Sequence, residues 1–127
     1  MSIEIPVRGY HIDLFGHVNN ARYLEFLESA RWAAFTEPVQ GLKDRGLAIT
    51  IVNININYRK EARFGQVLVV DVGVSETGSR SIKFQQNITD KETGKLIADA
   101  TVTCVIVDLN KGKAVLIDKE IIQLFTL

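Results

Sequence analysis

The chain has 127 residues and a mass of 14.2 kDa, which is the size of one ordinary domain. Hydrophobic residues make up 46% and charged residues 24% of it, a balance that excludes a disordered or collagen-like chain. Fifteen Lys and Arg residues offset fifteen Asp and Glu residues, so the net charge of +0 gives no basic excess for binding nucleic acid. We therefore expect a single domain over residues 1–127 with no nucleic acid partner.

The sequence shows no sign of a membrane span or a secretory leader. Its apolar runs stop at four residues, as at 67–70 and 114–117, whereas a spanning helix needs about twenty. The first residues lack the basic and apolar regions of a signal peptide. We therefore expect a cytoplasmic protein with no membrane partner, in which the single cysteine, Cys104, is a buried core residue.

A short strand is the first predicted element. Apolar and polar residues alternate from Ile3 to Val7, which is the pattern of a half-buried strand, and Pro6 favours a position at the edge of a sheet. We expect this strand to end near His11.

A long helix with one apolar face is predicted next. Asn19 and Asn20 are suited to cap its N-terminus, and Glu28 and Arg31 are spaced to form an ion pair on its polar edge. Its apolar residues recur at spacings of three and four: Tyr23, Phe26, Leu27, Ala30, Ala33 and Ala34, with Leu24, Trp32 and Phe35 widening the stripe. We expect this helix to be buried over much of its circumference and to end before a loop at 38–46.

Strands make up most of the remaining sequence. Three apolar residues alternate with asparagines and are expected to face the helix: Val52, Ile54 and Ile56, against Asn53, Asn55 and Asn57. Further strands are predicted at 67–74, 81–88, 97–107 and 114–117, and Asp118 is suited to cap a final short helix through Leu124. The links between these strands are too short for crossover helices, so the sheet should be antiparallel. The predicted class is α+β, with an antiparallel sheet wrapped around one central helix.

Candidate chemistry is concentrated at residues 11–20, between the first strand and the helix. The sequence has no Gly-x-Ser-x-Gly elbow, phosphate loop or dinucleotide fingerprint, but both of its histidines lie here. Unpaired N–H groups at a helix N-terminus stabilise a developing oxyanion, and Asp13 is suited to act beside them as a base or a nucleophile. Two alternatives stay open: Asp13 and His17 only hold the loop together, or His11, Asp13 and His17 form an iron site.

Residues 13–28 read Asp-Leu-Phe-Gly-His-Val-Asn-Asn-Ala-Arg-Tyr-Leu-Glu-Phe-Leu-Glu. This stretch resembles the signature of the hotdog-fold acyl-CoA thioesterases, specifically the 4-hydroxybenzoyl-CoA thioesterase-like family. Residues 7–11 and 52–59 are similar to the long-chain acyl-CoA thioesterase branch of that family. The resemblance covers most of the chain and implies a hotdog fold that hydrolyses medium- to long-chain fatty acyl-CoA to a fatty acid and coenzyme A.

The resemblance also assigns roles to the residues around the loop. It implies that Asp13 is the catalytic carboxylate, acting directly or through water, and that the N–H groups of Asn20 and Ala21 polarise the thioester carbonyl. It implies that His17 and Asn19 support the loop. Two tyrosines and three basic residues near the site are the candidates for substrate binding: Tyr23, which is expected mainly to pack the core, Tyr58, Arg59, Lys60 and Arg63.

No metal or cofactor is implied, and the resemblance implies a homo-oligomer, a dimer of dimers. The main alternative to an enzyme is a non-catalytic acyl-CoA binding module on the same fold, which predicts binding without turnover. A hotdog dehydratase is a third candidate, and it is disfavoured because its usual His-centred motif is absent from this sequence.

Overall fold

Residues 1–126 are the part of the chain that the computed structural model describes. They form seven β-strands, two α-helices and a short 3₁₀ helix at Gly9–His11. The strands are β1 (Ser2–Pro6), β2 (Leu47–Tyr58), β3 (Val67–Asp71), β4 (Gly73–Thr77), β5 (Ile82–Asp90), β6 (Leu96–Asp108) and β7 (Lys113–Ala114), and the helices are α1 (Asn20–Asp44) and α2 (Lys119–Leu124). Within these residues, neither helix combines the length and the apolar character needed to cross a lipid bilayer.

All the strands of residues 1–126 join one sheet with antiparallel pairing, as predicted. The main path runs β1-β3-β5-β6-β2, while β4 pairs with β5 and β7 pairs with β6. β1 and β2 are therefore the edge strands of this main path, and the edge position of β1 agrees with the missing N–H of Pro6. β2 pairs with β6 along nearly its whole length, from Leu47 opposite Asp108 to Tyr58 opposite Ala98.

The core lies between helix α1 and one face of the sheet. Alternate residues of β5 and β6 are buried, as the two-residue period of a strand requires. Three phenylalanines from different elements pack together, namely Phe35, Phe84 and Phe125, with ring centroids 4.9, 5.2 and 6.0 Å apart. Cys104 is fully buried, as predicted, and burial raises the pKa of its thiol to about 11.

β1 is shorter than predicted because the chain turns away after Pro6. The strand ends at Pro6 instead of near His11. The N–H of Arg8 donates to Nδ1 of the buried His11, 2.9 Å away, and this bond closes the 3₁₀ turn that follows the strand. The N–H of Arg8 is thus paired with a side chain, whereas in a longer strand it would bond to the backbone of a neighbouring strand.

Helix α1 is longer than predicted, since it continues through Pro38 and Gly41 to Asp44. Pro38 has no N–H for the carbonyl four residues earlier, and the helix accommodates it with a kink at Phe35, whose φ of −124° is not helical. Leu42 is fully buried in the second half of the helix. The prediction of a loop at 38–46 is wrong because this burial offsets the low helix propensity of proline and glycine.

The buried stripe of α1 is also narrower than predicted. Five residues of the predicted stripe are buried: Tyr23, Phe26, Leu27, Ala30 and Phe35. Leu24 and Ala33, in contrast, are exposed, and Trp32 is 55% exposed. The sheet covers one side of the helix, so nothing within residues 1–126 buries the opposite side.

The predicted orientation of Val52 is wrong. A bulge between Ile51 and Asn53 shifts the register of β2 against β6, and Val52 is 54% exposed. Ile54 and Ile56 follow the prediction and pack against the core.

The other strand predictions differ from the structure mainly in their ends. The predicted strand at 67–74 is divided into β3 and β4 at Val72, whose N–H donates to the carbonyl of Met1. β7 is shorter than the predicted strand at 114–117. β5, β6 and α2 confirm the prediction, and Asp118 caps α2 by accepting the N–H of Ile121 at 2.9 Å.

Candidate active site

The loop between β1 and α1 is a tight reversal of the chain. Ile12 and Val18 pair as an isolated antiparallel bridge, and between them the N–H of Asp13 donates to the carbonyl of His17 at 2.8 Å. Gly16 has a φ of 82°, in the left-handed region where a side chain costs free energy. The loop therefore presents Asp13 at a fixed position beside the start of α1.

The carboxylate of Asp13 is held by the backbone of its own loop. Its Oδ1 accepts the N–H of Phe15 at 2.9 Å and that of His17 at 3.3 Å. Within residues 1–126, Oδ2 accepts no hydrogen bond. One carboxylate oxygen thus fixes the side chain, and the other is available to a substrate or a water molecule.

The N-terminus of α1 supplies one backbone donor next to this carboxylate. Asn19 caps the helix, because its Oδ1 accepts the N–H of Ala21 at 3.0 Å. The N–H of Asn20 meets no acceptor among the described residues. Of the two predicted oxyanion donors, Ala21 is already bonded to the cap and Asn20 is unpaired.

A pocket of about 420 Å³, here called the loop pocket, opens in front of these groups. Seven of the predicted site residues line it: Asp13, His17, Asn20, Tyr23, Tyr58, Arg59 and Lys60. Val18 and Glu61 complete the lining, whereas the predicted residues Asn19, Ala21 and Arg63 lie outside it. The fold therefore brings the β1–α1 loop, the start of α1 and the segment after β2 into one site.

The two tyrosines of the loop pocket differ in their surroundings. Tyr23 is buried, and its hydroxyl accepts the N–H of Ala62, itself fully buried, at 3.1 Å. Burial raises the pKa of Tyr23 above its usual value. Tyr58 is 47% exposed, packs edge-on against the Tyr23 ring and donates its hydroxyl to the carbonyl of Asn20 at 3.4 Å. Tyr23 thus fastens the segment after β2 to the helix, in keeping with its predicted packing role.

Most of the charged groups at the loop pocket are paired. Nε of Arg59 donates to Oδ2 of Asp99 at 2.7 Å, and this bond lowers the pKa of the Asp99 carboxyl and raises that of the guanidinium. Glu61 lies 3.5 Å from Nε2 of His17 and 3.2 Å from Nη2 of Arg63. Lys60 has no carboxylate within 4.0 Å in residues 1–126.

Glu61 and Asp99 are site residues that no motif in the sequence marks. Asp99 comes from β6 and reaches Arg59 only through the pairing of β2 with β6, in which it lies opposite Asn57. A one-residue shift of this register would turn Asp99 to the other face of the sheet. A pairing pattern of this kind cannot be read from one sequence alone.

The iron-site alternative receives no support from the geometry. Among the residues that the structure describes, no three His, Cys, Asp or Glu side chains lie close enough to share a metal ion. His11 lines a different pocket from Asp13 and His17, and its Nδ1 already accepts the N–H of Arg8.

A second pocket, here called the distal pocket, lies between α1 and β2 at the other end of their contact. The loop pocket includes Asn20 at the start of α1 and Tyr58 at the end of β2, while the distal pocket includes Val39 and Ile49. Its volume is about 180 Å³, and its lining is mostly apolar: Trp32, Phe35, Val39, Ile49, Ile51 and Phe84, with Glu28 and Arg31.

The predicted ion pair between Glu28 and Arg31 is wrong. No carboxylate in residues 1–126 lies within 4.0 Å of Arg31. Its Nη1 donates instead to Oε1 of the fully buried Gln86 at 2.9 Å, so the guanidinium is held at the sheet and not in an ion pair with Glu28.

Related proteins identify the family of this chain. The sequence matches the family model of the thioesterase-like superfamily over residues 7–125. It is 41% identical over 123 residues to the long-chain acyl-CoA thioesterase FadM of Escherichia coli, across 95% of this chain and 93% of that protein. It is 34% identical over 125 residues to the acyl-CoA thioesterase YbgC of Haemophilus influenzae, across 93% and 90% of the two chains.

Solved structures show the same relationship. The crystal structure of YbaW, a probable thioesterase from Escherichia coli, superposes with a TM-score of 0.94 at 38% identity and covers 100% of this chain and 99% of that one. This likeness confirms the predicted hotdog fold, and the family match confirms the predicted membership among thioester hydrolases. The chain belongs to the thioesterase-like superfamily.

Proposed function

We propose that this protein hydrolyses medium- to long-chain fatty acyl-CoA to a fatty acid and coenzyme A at the loop pocket. The single observation that carries the proposal is the presence of the Asp13 carboxylate and the unpaired N–H of Asn20 in the lining of one pocket. The similarity to FadM and YbgC supports acyl-CoA as the substrate, and the name of FadM supports a long chain.

In the proposed reaction, the Asn20 N–H and the Asp13 carboxylate have different roles. The thioester carbonyl oxygen accepts the N–H of Asn20, and the positive end of the α1 dipole stabilises the negative charge that develops on it. Oδ2 of Asp13 either attacks the carbonyl carbon or removes a proton from an attacking water molecule. When water attacks, its oxygen bonds to the carbonyl carbon, the C–S bond breaks, and the proton held by Asp13 passes to the departing sulfur, which gives the fatty acid and the coenzyme A thiol. When Asp13 attacks, the C–S bond breaks, the sulfur takes a proton from water, and a second water molecule hydrolyses the acyl-aspartyl anhydride to the fatty acid and the free carboxylate.

The remaining predicted residues support the substrate or the loop. We assign a phosphate of coenzyme A to Lys60, since it lines the pocket with no carboxylate beside it in residues 1–126, whereas Arg59 and Arg63 are paired. His17 and Asn19 hold the loop and the helix cap. The expected cytoplasmic location stays a prediction.

A homo-oligomer, arranged as a dimer of dimers, is part of the proposal. β2 is a twelve-residue edge strand, and such an edge exposes a row of N–H and C=O groups that another chain can pair with. Beside the site, Leu14 is 94% and Phe15 is 78% exposed. A second copy of the chain would cover these apolar side chains, which water hydrates unfavourably.

The proposal is tested by the release of free thiol from acyl-CoA substrates of increasing chain length, with a chelator present. Asp13→Asn keeps an oxygen for the two loop N–H groups but removes the charge, and we expect a loss of activity of about 10²–10⁴-fold. Asp44→Asn, the same change at the exposed far end of α1, is the matched control and should keep full activity. Full activity of Asp13→Asn would refute the mechanism, and saturable binding without turnover by the native protein would favour the binding module.

A further inference from the structure

Arg31 is a half-buried cation that the proposed hydrolysis does not use. Its only hydrogen bond within residues 1–126 is the one from Nη1 to Oε1 of Gln86, and no ion pair includes it. Burial lowers the pKa of its guanidinium. Because a half-buried charge is costly without partners, this position calls for a physical explanation.

The partner of Arg31 is itself held rigidly. Gln86 is fully buried in β5, and its Nε2 donates to the carbonyl of Leu27 at 3.0 Å and to that of Asp71 at 3.1 Å. These bonds fix Oε1 of Gln86, which in turn fixes one nitrogen of Arg31. The guanidinium is therefore positioned before any ligand arrives.

The rest of the guanidinium borders the distal pocket. A guanidinium carries five N–H donors, of which Gln86 takes one. In residues 1–126, no fully buried side-chain nitrogen or oxygen lacks a hydrogen bond, so the Arg31 nitrogens that make none keep some accessible surface. Since Arg31 lines the distal pocket, its free donors can serve a ligand in that pocket.

The lining of the distal pocket defines the chemistry of that ligand. Six of its eight lining residues are apolar, which suits a hydrocarbon chain. Glu28 lines the same pocket, so the cation of Arg31 is balanced by a nearby anion. A hydroxyl group can accept from Arg31 and donate to the Glu28 carboxylate at the same time. A carboxylate ligand can also accept from Arg31, but it has no proton to donate to Glu28 and is repelled by it, and we take this repulsion to decide in favour of the hydroxyl.

The distal pocket lies in line with the loop pocket along α1. Arg31 is eleven positions after Asn20, which amounts to about three full turns, so the two residues share one side of the helix. Their separation along the axis is roughly 16 Å. Leu24, which lies between them on the same side of α1, is 37% exposed and offers an apolar contact to a chain that passes from one pocket to the other.

We propose that Arg31 is a specificity-determining residue that favours acyl chains bearing a hydroxyl group near their distal end. This inference rests on the proposed function for its substrate class. The thioester lies at the loop pocket, the chain follows α1, and the terminal hydroxyl accepts a hydrogen bond from Arg31 in the distal pocket.

The first test compares kcat/KM for ω-hydroxyacyl-CoA, ω-carboxyacyl-CoA and unsubstituted acyl-CoA of equal length, over a series of lengths. A hydrogen bond to a charged group predicts that the hydroxyl chain is favoured about tenfold at the length that reaches Arg31. Arg31→Met should reduce this ratio to about one, while Arg45→Met, at an exposed position after α1, should leave it unchanged. Equal rates at every length, a preference for the carboxyl chain, or a ratio that survives Arg31→Met would overturn the proposal.

The second test does not depend on hydrolysis or on a variant that folds. Trp32 is the single tryptophan of the chain and lines the distal pocket, so its fluorescence reports on occupancy of that pocket. The probes are the N-methyl amides of the ω-hydroxy fatty acid and of the unsubstituted fatty acid of equal length, which are neutral and have no thioester to hydrolyse. Titration of the native protein should show tighter binding of the ω-hydroxy amide than of the unsubstituted one. Equal affinities would overturn the inference even if acyl-CoA is hydrolysed, and a hydroxyl preference without hydrolysis would refute the proposed function alone.

Discussion

The hydroxyl of Tyr23 is buried and bonded to the backbone, whereas that of Tyr58 is exposed, so removing each hydroxyl separates their contributions to stability. Its hydroxyl accepts the N–H of Ala62 at 3.1 Å, and only 3% of Tyr23 and 0% of Ala62 are accessible to solvent. Tyr23→Phe removes the acceptor and leaves a buried N–H with no partner. The cost of such a group is about 1–3 kcal/mol in the free energy of unfolding. For a domain of this size, that loss lowers Tm by roughly 3–10 °C.

Tyr58→Phe is the matched control. The Tyr58 hydroxyl is in contact with solvent, and its bond to the carbonyl of Asn20 is 3.4 Å long, so water replaces it and the loss should stay below about 0.5 kcal/mol. Denaturation in urea gives both free energies, and thiol release gives kcat for each variant. We expect Tyr23→Phe to lose stability and keep most of its kcat. Equal stability losses in the two variants, or a collapse of kcat at full stability in Tyr23→Phe, would refute the packing role.

Three further predictions concern the loop, an ion pair and the thiol. Gly16→Ala should destabilise the protein by about 1–2 kcal/mol in urea denaturation, because an alanine strains the left-handed backbone of the Asp13 loop; an unchanged midpoint would contradict this. The Arg59 bond lowers the pKa of Asp99 in the folded state, so its stabilisation is present above about pH 4 and is lost as the pH falls through the lower folded pKa. The stability difference between the native protein and Arg59→Met should therefore shrink from about pH 5 to pH 3, and a constant difference would argue against the pair. Cys104, with a pKa of about 11, should react with a disulfide reagent at pH 8 only after unfolding, and rapid labelling of the folded protein would show that it is accessible.

Periodicity in the sequence predicted most of the elements, because burial on one face imposes a period that a single chain displays. The helix stripe from Tyr23 to Ala30 and the alternation along β5 and β6 are of this kind. The continuation of α1 past Pro38 was not predictable in this way, since it depends on the burial of Leu42 by distant parts of the chain. The bulge at Val52 likewise depends on the partner strand.

The residues of the candidate site also fall into two groups, those that the sequence predicts and those that depend on distant parts of the chain. Asp13, His17 and Asn20 lie within one short stretch, so their proximity follows from the chain itself, and the resemblance could assign them roles. Glu61 and Asp99 reach the site through the segment after β2 and through β6, and no local pattern marks them. The role of Ala21 as an oxyanion donor stays a prediction, and in the structure its N–H donates to the Asn19 side chain that caps the helix.

The pairing of β2 with β6 has a consequence for how this protein is made. Leu47 pairs with Asp108 and Tyr58 with Ala98, so two neighbouring strands of the finished sheet are far apart in the order of synthesis. Contacts of such long range carry a loop-closure entropy cost that slows folding. Helix α1 and β2 precede β6 in the chain, so they leave the ribosome before the strand that β2 needs. The nascent chain therefore exposes the apolar side chains of β2 until β6 has emerged, and this interval is when a chaperone would have the most to protect.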